Sequence, residues 1–235
     1  MADEGSKLWY LEKLSLLEEM PLDLLKSMDT SSTLHKTYKR EPIYVQNSAS
    51  DTIFFCKKGR VKISRTSEDG KETTLYIVQP GEIFGELALV DSGRRTHRAE
   101  ALDDEVIVCS FSKKRFEDIL GTNAELSRKV YMRIGDRMRT IEQKLADLVF
   151  KGSEERIIKF LLDVGADKLR KSIDEAYIRP FFTHEEIAHL TATSRQTVTT
   201  TLNDLKKEGL ITFSRNKMYI KQYSQLQKRL DSYHS

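Results

Sequence analysis

The chain has 235 residues, 39% of them apolar, with a formal net charge of +3 at pH 7, enough apolar material for a real core in one large or two modest globular domains. No apolar run approaches the ~18 residues of a membrane span, and the opening MADEGSKLWY is acidic and lacks the apolar region of a signal peptide. Two cysteines exclude a four-cysteine iron–sulfur site, so a soluble, cytoplasmic protein with no bound metal and no membrane partner is expected.

Residues 6–30 set Leu11, Leu14 and Leu17, then Leu22, Leu24, Leu25 and Met28, at helical spacing interrupted by Pro21. That pattern predicts two short helices. From Leu34 to Phe111 it changes to short β-rich segments: EPIYVQ, TIFFCKK, GRVKISRT, ETTLYIV, RAEALD and EVIVCSF. Asp69-Gly70 between two of them suits a type I′ hairpin turn. Gly59, Gly70 and Gly81 recur at eleven-residue intervals, the strand-and-turn spacing of a small antiparallel barrel or jelly roll. Cys56 and Cys109 sit inside apolar strands and read as buried thiols in a reducing compartment. Residues 84–101, FGELALVDSGRRTHRAEA, place a carboxylate, a glycine-flanked loop and arginines between apolar strands. They make either a small pocket for an anionic ligand carrying a hydroxyl or an ordinary surface turn.

Residues 113–150 carry the longest helical pattern. Tyr131, Ile134, Met138, Ile141, Leu145 and Leu148 follow spacings of 3, 4, 3, 4 and 3, a heptad seam flanked by charged side chains. So narrow a seam favours a partner helix, and hence a homodimer, over a core-facing helix within one subunit. Ser153 reads as the N-cap of a new helix that ends at Gly165. The divisions expected are 1–120 for the barrel, 121–152 for the dimerisation helix and hinge, and 153–235 for the last domain.

In that last domain Thr183 and Glu186 form a capping box. The helix they start buries Ile187, Ala188 and Leu190 and breaks at Thr191-Ala192-Thr193. A second helix begins at Ser194, buries Val198, Leu202 and Leu205, and stops at Gly209. Two short helices so spaced, followed by LITFS and KMYIKQ around Arg215-Asn216, are a winged helix-turn-helix. From Arg195 to the end the chain holds 8 basic and 3 acidic side chains, a balance that suits a polyanionic partner. Ser194-Arg195-Gln196-Thr197-Val198-Thr199-Thr200 suits the major groove. The Arg195 fork matches both acceptors of guanine and Gln196 the donor–acceptor edge of adenine, while Ser194, Thr197 and Lys217 suit phosphates, and Thr183 is a further DNA-binding candidate. Thr199 and Thr200 lie on the same groove-facing turns. The alternative is a packing module with exposed polar residues.

Barrel, glycine–glutamate–arginine loop, seam helix and winged helix-turn-helix, in this order, resemble the cyclic-AMP receptor protein and fumarate-nitrate regulator (Crp/Fnr) family of bacterial transcription factors. The resemblance is carried most specifically by Gly85-Glu86-Leu87 with Arg95-Thr96, and by THEEIAHLTATSRQTVTTTLNDL from Thr183 to Leu205. It implies an α+β protein with a cyclic-nucleotide-binding-like antiparallel jelly roll, a long dimerisation helix and a C-terminal winged helix-turn-helix. It also implies that Glu86 holds a ribose hydroxyl and Arg95 a cyclic phosphate, that Thr96 and loop N–H groups beside Leu87 complete the cup, and that Gly85 lets the backbone approach. Aligned through Phe150 and Arg156, the two seam-helix positions that face adenine are Ile141 and Glu142, of which Glu142 can accept from an exocyclic amine. Cyclic AMP or another cyclic nucleotide is the effector implied, with double-stranded DNA, a second copy of the chain and RNA polymerase as partners. Gln196 and Thr200 stand where the family usually has glutamate and often arginine, which implies a different operator. Two other readings remain: a regulator of the same family that needs no ligand, and an enzyme using Glu86, Arg95 and His97. The latter lacks a nucleophile elbow, an HExxH motif and a P-loop.

Overall fold

Strand alternation organises the first half of the protein. The computed structural model describes residues 21–90, 93–214 and 216–234, so the first of the two expected N-terminal helices lies outside the described residues. The second is helix α1, Leu22–Ser31, which begins directly after Pro21. Eight strands follow: β1 Thr33–Tyr38, β2 Pro42–Tyr44, β3 Thr52–Lys58, β4 Val61–Thr66, β5 Glu72–Val78, β6 Ile83–Phe84, β7 Arg98–Ala101 and β8 Glu105–Ser112. They form two antiparallel four-stranded sheets, ordered β1-β8-β3-β6 and β2-β7-β4-β5, a jelly roll. The short β6 and the polar β1, exposed at nearly every position, carry too little apolar alternation to be read from sequence.

β3 and β8 are buried on both faces, and their period of two sorts the side chains. Phe54, Cys56, Val106 and Val108 point into the space between the sheets with Val61, Ile63, Phe84 and Ala99. Ile53, Phe55, Cys109 and Phe111 point to the other face, where helices cover them through Leu25, Met28, Phe116, Leu126 and Val130. The two cysteines are free and buried on opposite faces. Burial pushes the Cys56 thiol up to about 12, so it remains an unreactive thiol. The turn between β4 and β5 is not type I′. Its β-turn is closed by the Gly70 N–H donating to Ser67 O at 3.0 Å, and of its residues only Gly70 has positive φ, at 82°. Asp69 keeps an ordinary φ, and the five-residue loop places the left-handed residue after the turn.

The long helical run is broken at Asn123, giving α2 Lys113–Thr122 and α3 Ala124–Phe150. Asn123 Oδ1 accepts the Leu126 N–H at 2.8 Å and so caps α3. The chain divides into two compact units between Met138 and Arg139, inside α3. The first half of that helix packs Leu126, Val130 and Ile134 onto the jelly-roll core, which makes the helix part of the first unit up to that point. Among the described residues, no helix is long and apolar enough to cross a membrane.

In the second unit α4, Ser153–Ala166, buries Ile157, Ile158, Leu161 and Leu162. Its N-cap is Gly152, not Ser153: the Glu155 carboxylate reaches back and accepts the Gly152 N–H at 2.6 Å. Strands β9 Leu169–Arg170 and β10 Glu175–Ile178 precede the helix pair α5 His184–Leu190 and α6 Arg195–Lys207, then β11 Ile211–Ser214, β12 Lys217–Ile220 and α7 Tyr223–Asp231. The wing is therefore half of a four-stranded sheet, ordered β11-β12-β10-β9; the sequence reading found only the β11–β12 hairpin.

Candidate ligand pocket and DNA-reading face

The pocket in the first unit is built around Gly85. Its φ of 73° is left-handed, and a side chain there would bring a Cβ to 2.8 Å from Arg95 Nη1, so only glycine lets the loop turn and the guanidinium approach. The 3₁₀ turn Glu86–Leu89 that follows aims Glu86 inward, where it is 5% exposed. Glu86 is paired not with Arg95 of its own loop but with Arg137 of α3. Arg137 Nη1 donates to Glu86 Oε1 at 2.6 Å and Nη2 to the Ile83 carbonyl at 3.1 Å, and the guanidinium lies 4.3 Å from the Tyr76 ring centroid. Burial opposes the Arg137 charge, yet Glu86 outweighs it and holds the Arg137 pKa above its usual value.

Arg95 points to its own backbone. Its Nη1 donates to the Gly85 carbonyl at 3.1 Å, its Nη2 to the Thr52 carbonyl, and its guanidinium stacks 4.4 Å from the Tyr44 centroid. Burial lowers its pKa. Tyr44, Ser50, Tyr76, Gly85, Glu86 and Arg95 share the lining with Leu87, Thr96 and His97. Burial, then the Arg65 charge, lowers the pKa of His97. The enclosed free space is only ≈ 10 Å³, about one water, between lining side chains that include Tyr44, Tyr76 and Arg95. Glu86 Oε2 and Arg95 Nε are nevertheless buried with no hydrogen-bond partner. Glu142 is exposed on α3 in the second unit.

Of the six seam residues, Tyr131, Met138, Ile141, Leu145 and Leu148 are 47% to 72% exposed. Ile134 alone turns partly into the first unit's core. The stripe thus continues along one helix with no covering partner among the described residues.

The candidate DNA-reading face is assembled by caps. Thr183 Oγ1 accepts the Glu186 N–H at 3.2 Å while Glu186 accepts the Thr183 N–H at 2.7 Å, which starts α5. Ser194 Oγ accepts the Thr197 N–H at 3.0 Å and starts α6. Between them Ala192 has a φ of 49°, and Arg156 of α4 holds this strained turn: its Nε donates to the Thr191 carbonyl at 2.8 Å and its Nη2 to the Ala192 carbonyl at 3.0 Å. Arg195, Gln196, Thr200 and Lys217 are exposed. Thr197 and Thr199 are half-buried, and the Thr199 hydroxyl is engaged by the Arg195 carbonyl and His184 Nδ1, each at 2.9 Å. That leaves Thr199 as a brace within the helix rather than a side chain turned outward.

Sequence reasoning missed Arg137, Tyr44 and Tyr76 in the pocket and Arg156 and His184 behind the reading face. Arg137 had one available signal: it stands four residues before Ile141, a cation one turn from an apolar seam. The others are brought in by tertiary packing alone.

Residues 34–123 match the family described as cyclic nucleotide-binding domain, and residues 155–229 the Crp-like helix-turn-helix domain. The chain is 31% identical to a cyclic AMP receptor protein of Thermus thermophilus over 73% of this chain and 76% of that one. To a CRP-like cAMP-activated global transcriptional regulator of Mycobacterium tuberculosis it is 29% identical over 80% of this chain and 83% of that one. Among solved structures, a CooA mutant from Carboxydothermus hydrogenoformans has a TM-score of 0.76 at 25% identity, covering 92% of this chain and 94% of that one.

Proposed function

This chain belongs to the Crp/Fnr family of DNA-binding transcription regulators, and we infer that it works as a homodimer on a palindromic site under control of a small anionic ligand, of the cyclic-nucleotide class, in the first unit. The observation that carries the ligand claim is the pair of orphaned atoms, Glu86 Oε2 and Arg95 Nε, buried in one pocket. A self-contained ion pair would satisfy both, whereas a ligand offering a hydroxyl to Glu86 and an anionic oxygen to Arg95 supplies what each lacks. Such a ligand displaces the side chains that now fill the pocket, beginning with Arg95 leaving the Gly85 and Thr52 carbonyls.

The exposed apolar stripe from Tyr131 to Leu148 supports the homodimer, since an isolated helix with that seam would leave large side chains in water. Two copies present two α6 helices, and a palindrome with half-sites one helical turn apart matches that symmetry. Arg195 reads a guanine in this account, Gln196 an adenine, and Lys217 of the wing holds a phosphate. RNA polymerase is the protein partner, the cytoplasm the location, and Glu86, Arg95 and His97 take no catalytic part.

A second reading, regulation without any ligand, is favoured by one observation: the pocket is already filled by the protein's own side chains. Thermal melting with cyclic AMP, cyclic GMP and cyclic dinucleotides separates the two. A specific ligand raises the melting temperature in step with its concentration, and Arg95→Leu removes that rise; no shift with any of them, together with unchanged DNA affinity, establishes the ligand-free reading.

A further inference from the structure

We propose that His184 is a positioning residue that ties the recognition helix to the wing for reading by Arg195, and that its titration makes DNA affinity dependent on pH. This rests on the assignment of Arg195 as the base reader.

His184 opens α5 and its ring meets two other elements. Nδ1 lies 2.9 Å from Thr199 Oγ1, and Thr199 Oγ1 donates to the Arg195 carbonyl at 2.9 Å. A hydroxyl has one proton, so with that proton spent on Arg195 the His184 Nδ1 must be the donor and Nε2 the free basic nitrogen. The same ring packs edge-on to Phe213 of β11, with centroids 5.7 Å apart and planes at 67°. Phe213 is followed by Ser214, which stands opposite Lys217 in the wing register. One imidazole thereby joins the helix start at Thr183, the first turn of α6 at Arg195 and the wing strand beside Lys217, all three of which carry exposed polar residues.

The charges around the ring are mostly positive. From α6 come Arg195 and, 5.2 Å from the far ring Phe213, the Lys206 ammonium. On α5 itself Glu185 lies 3.4 Å from His189 and Glu186 accepts from the Thr183 N–H, while β11 contributes Phe213, which does not titrate. Burial first, and the Arg195 charge second, hold the His184 pKa below its usual value. The free protein therefore carries it neutral at pH 7. Phosphates brought to this face favour the charged form, so binding takes up a proton, and affinity rises as pH falls through the interval between the free and the bound pKa.

The test uses the full chain and a duplex selected from a random pool by the unaltered protein, with single-base variants of that duplex, at pH 8 and pH 6. Affinity of the unaltered protein is expected to rise roughly fivefold toward pH 6, the linkage of one group taking up a proton. His184→Ala should lose this rise and bind the guanine variants nearly as well as the selected site. His184→Asn, whose amide N–H can still reach Thr199, should regain discrimination without regaining the pH response. The proposal is overturned if His184→Ala, or the Asn variant should Ala fail to fold, keeps both the discrimination and the pH response. If Arg195→Ala leaves discrimination unchanged in the same assay, the failure lies instead with Arg195 as reader.

Discussion

The two sites hold their polar side chains in opposite ways. On the reading face Arg195, Gln196, Thr200 and Lys217 are exposed on elements whose backbones are already fixed by Thr183, Ser194 and Arg156. In the pocket Glu86 and Arg95 are each 5% exposed and held by Arg137, two backbone carbonyls and Tyr44. The reading face is preformed, so a contact there is gained at little reorganisation cost. A ligand entering the pocket would have to exchange these internal contacts for its own, so any response would depend on the difference between them.

The largest way to break that contrast is to remove the cation that holds Glu86. Arg137→Leu leaves a buried carboxylate unpaired and should lower the stability of the first unit by about 3 kcal/mol, the low end for a broken buried pair because Arg137 reaches partly to solvent. Urea unfolding measures it, and a loss near zero would show that Glu86 does not depend on Arg137. On the reading face the corresponding deletion should leave stability almost untouched. Arg195→Ala is expected to cost about 2 kcal/mol of binding per half-site and to flatten preference at one guanine, read by titration of a selected site and its single-base variants; equal weakening on every sequence would take base reading away from Arg195.

A smaller effect sharpens the comparison between buried and exposed apolar groups on α3. Leu145→Asp puts a charge into the uncovered stripe and should weaken self-association by about tenfold or more, visible in sedimentation equilibrium. The folded units should melt as before, because Leu145 is 63% exposed; an unchanged dimer would move the interface elsewhere. Smallest of all, Lys217→Ala should reduce affinity for any DNA alike and lower the salt slope by roughly one. A sequence-dependent loss would make the wing a reader as well.

How much was legible follows from the range of each interaction. The capping residues Thr183, Glu186 and Ser194 act within four residues of themselves, and the sequence places both helix starts where the structure has them. The apolar runs in TIFFCKK and EVIVCSF likewise give β3 and β8, since a strand buried on both faces reads as a continuous apolar run. Nearby polar competitors were harder. Asn123 breaks the run at 113–150 because its side chain caps the next helix, and the Asp69-Gly70 pair yields a longer loop than the dipeptide suggests.

The sequence by itself determined the order of units, the two-sheet barrel, the helix-turn-helix and the outward face of α6, because periodicity, caps and turn residues act locally. Only the tertiary structure decided which cation Glu86 meets, where Arg95 points and what braces the reading helix. Arg137 is 51 residues from Glu86, Thr52 lies 43 from Arg95, and Arg156 reaches the turn residue Thr191 across 35. Partners so far apart are chosen by how strands and helices pack, and several arginines compete for each carboxylate and carbonyl until that packing fixes the distances.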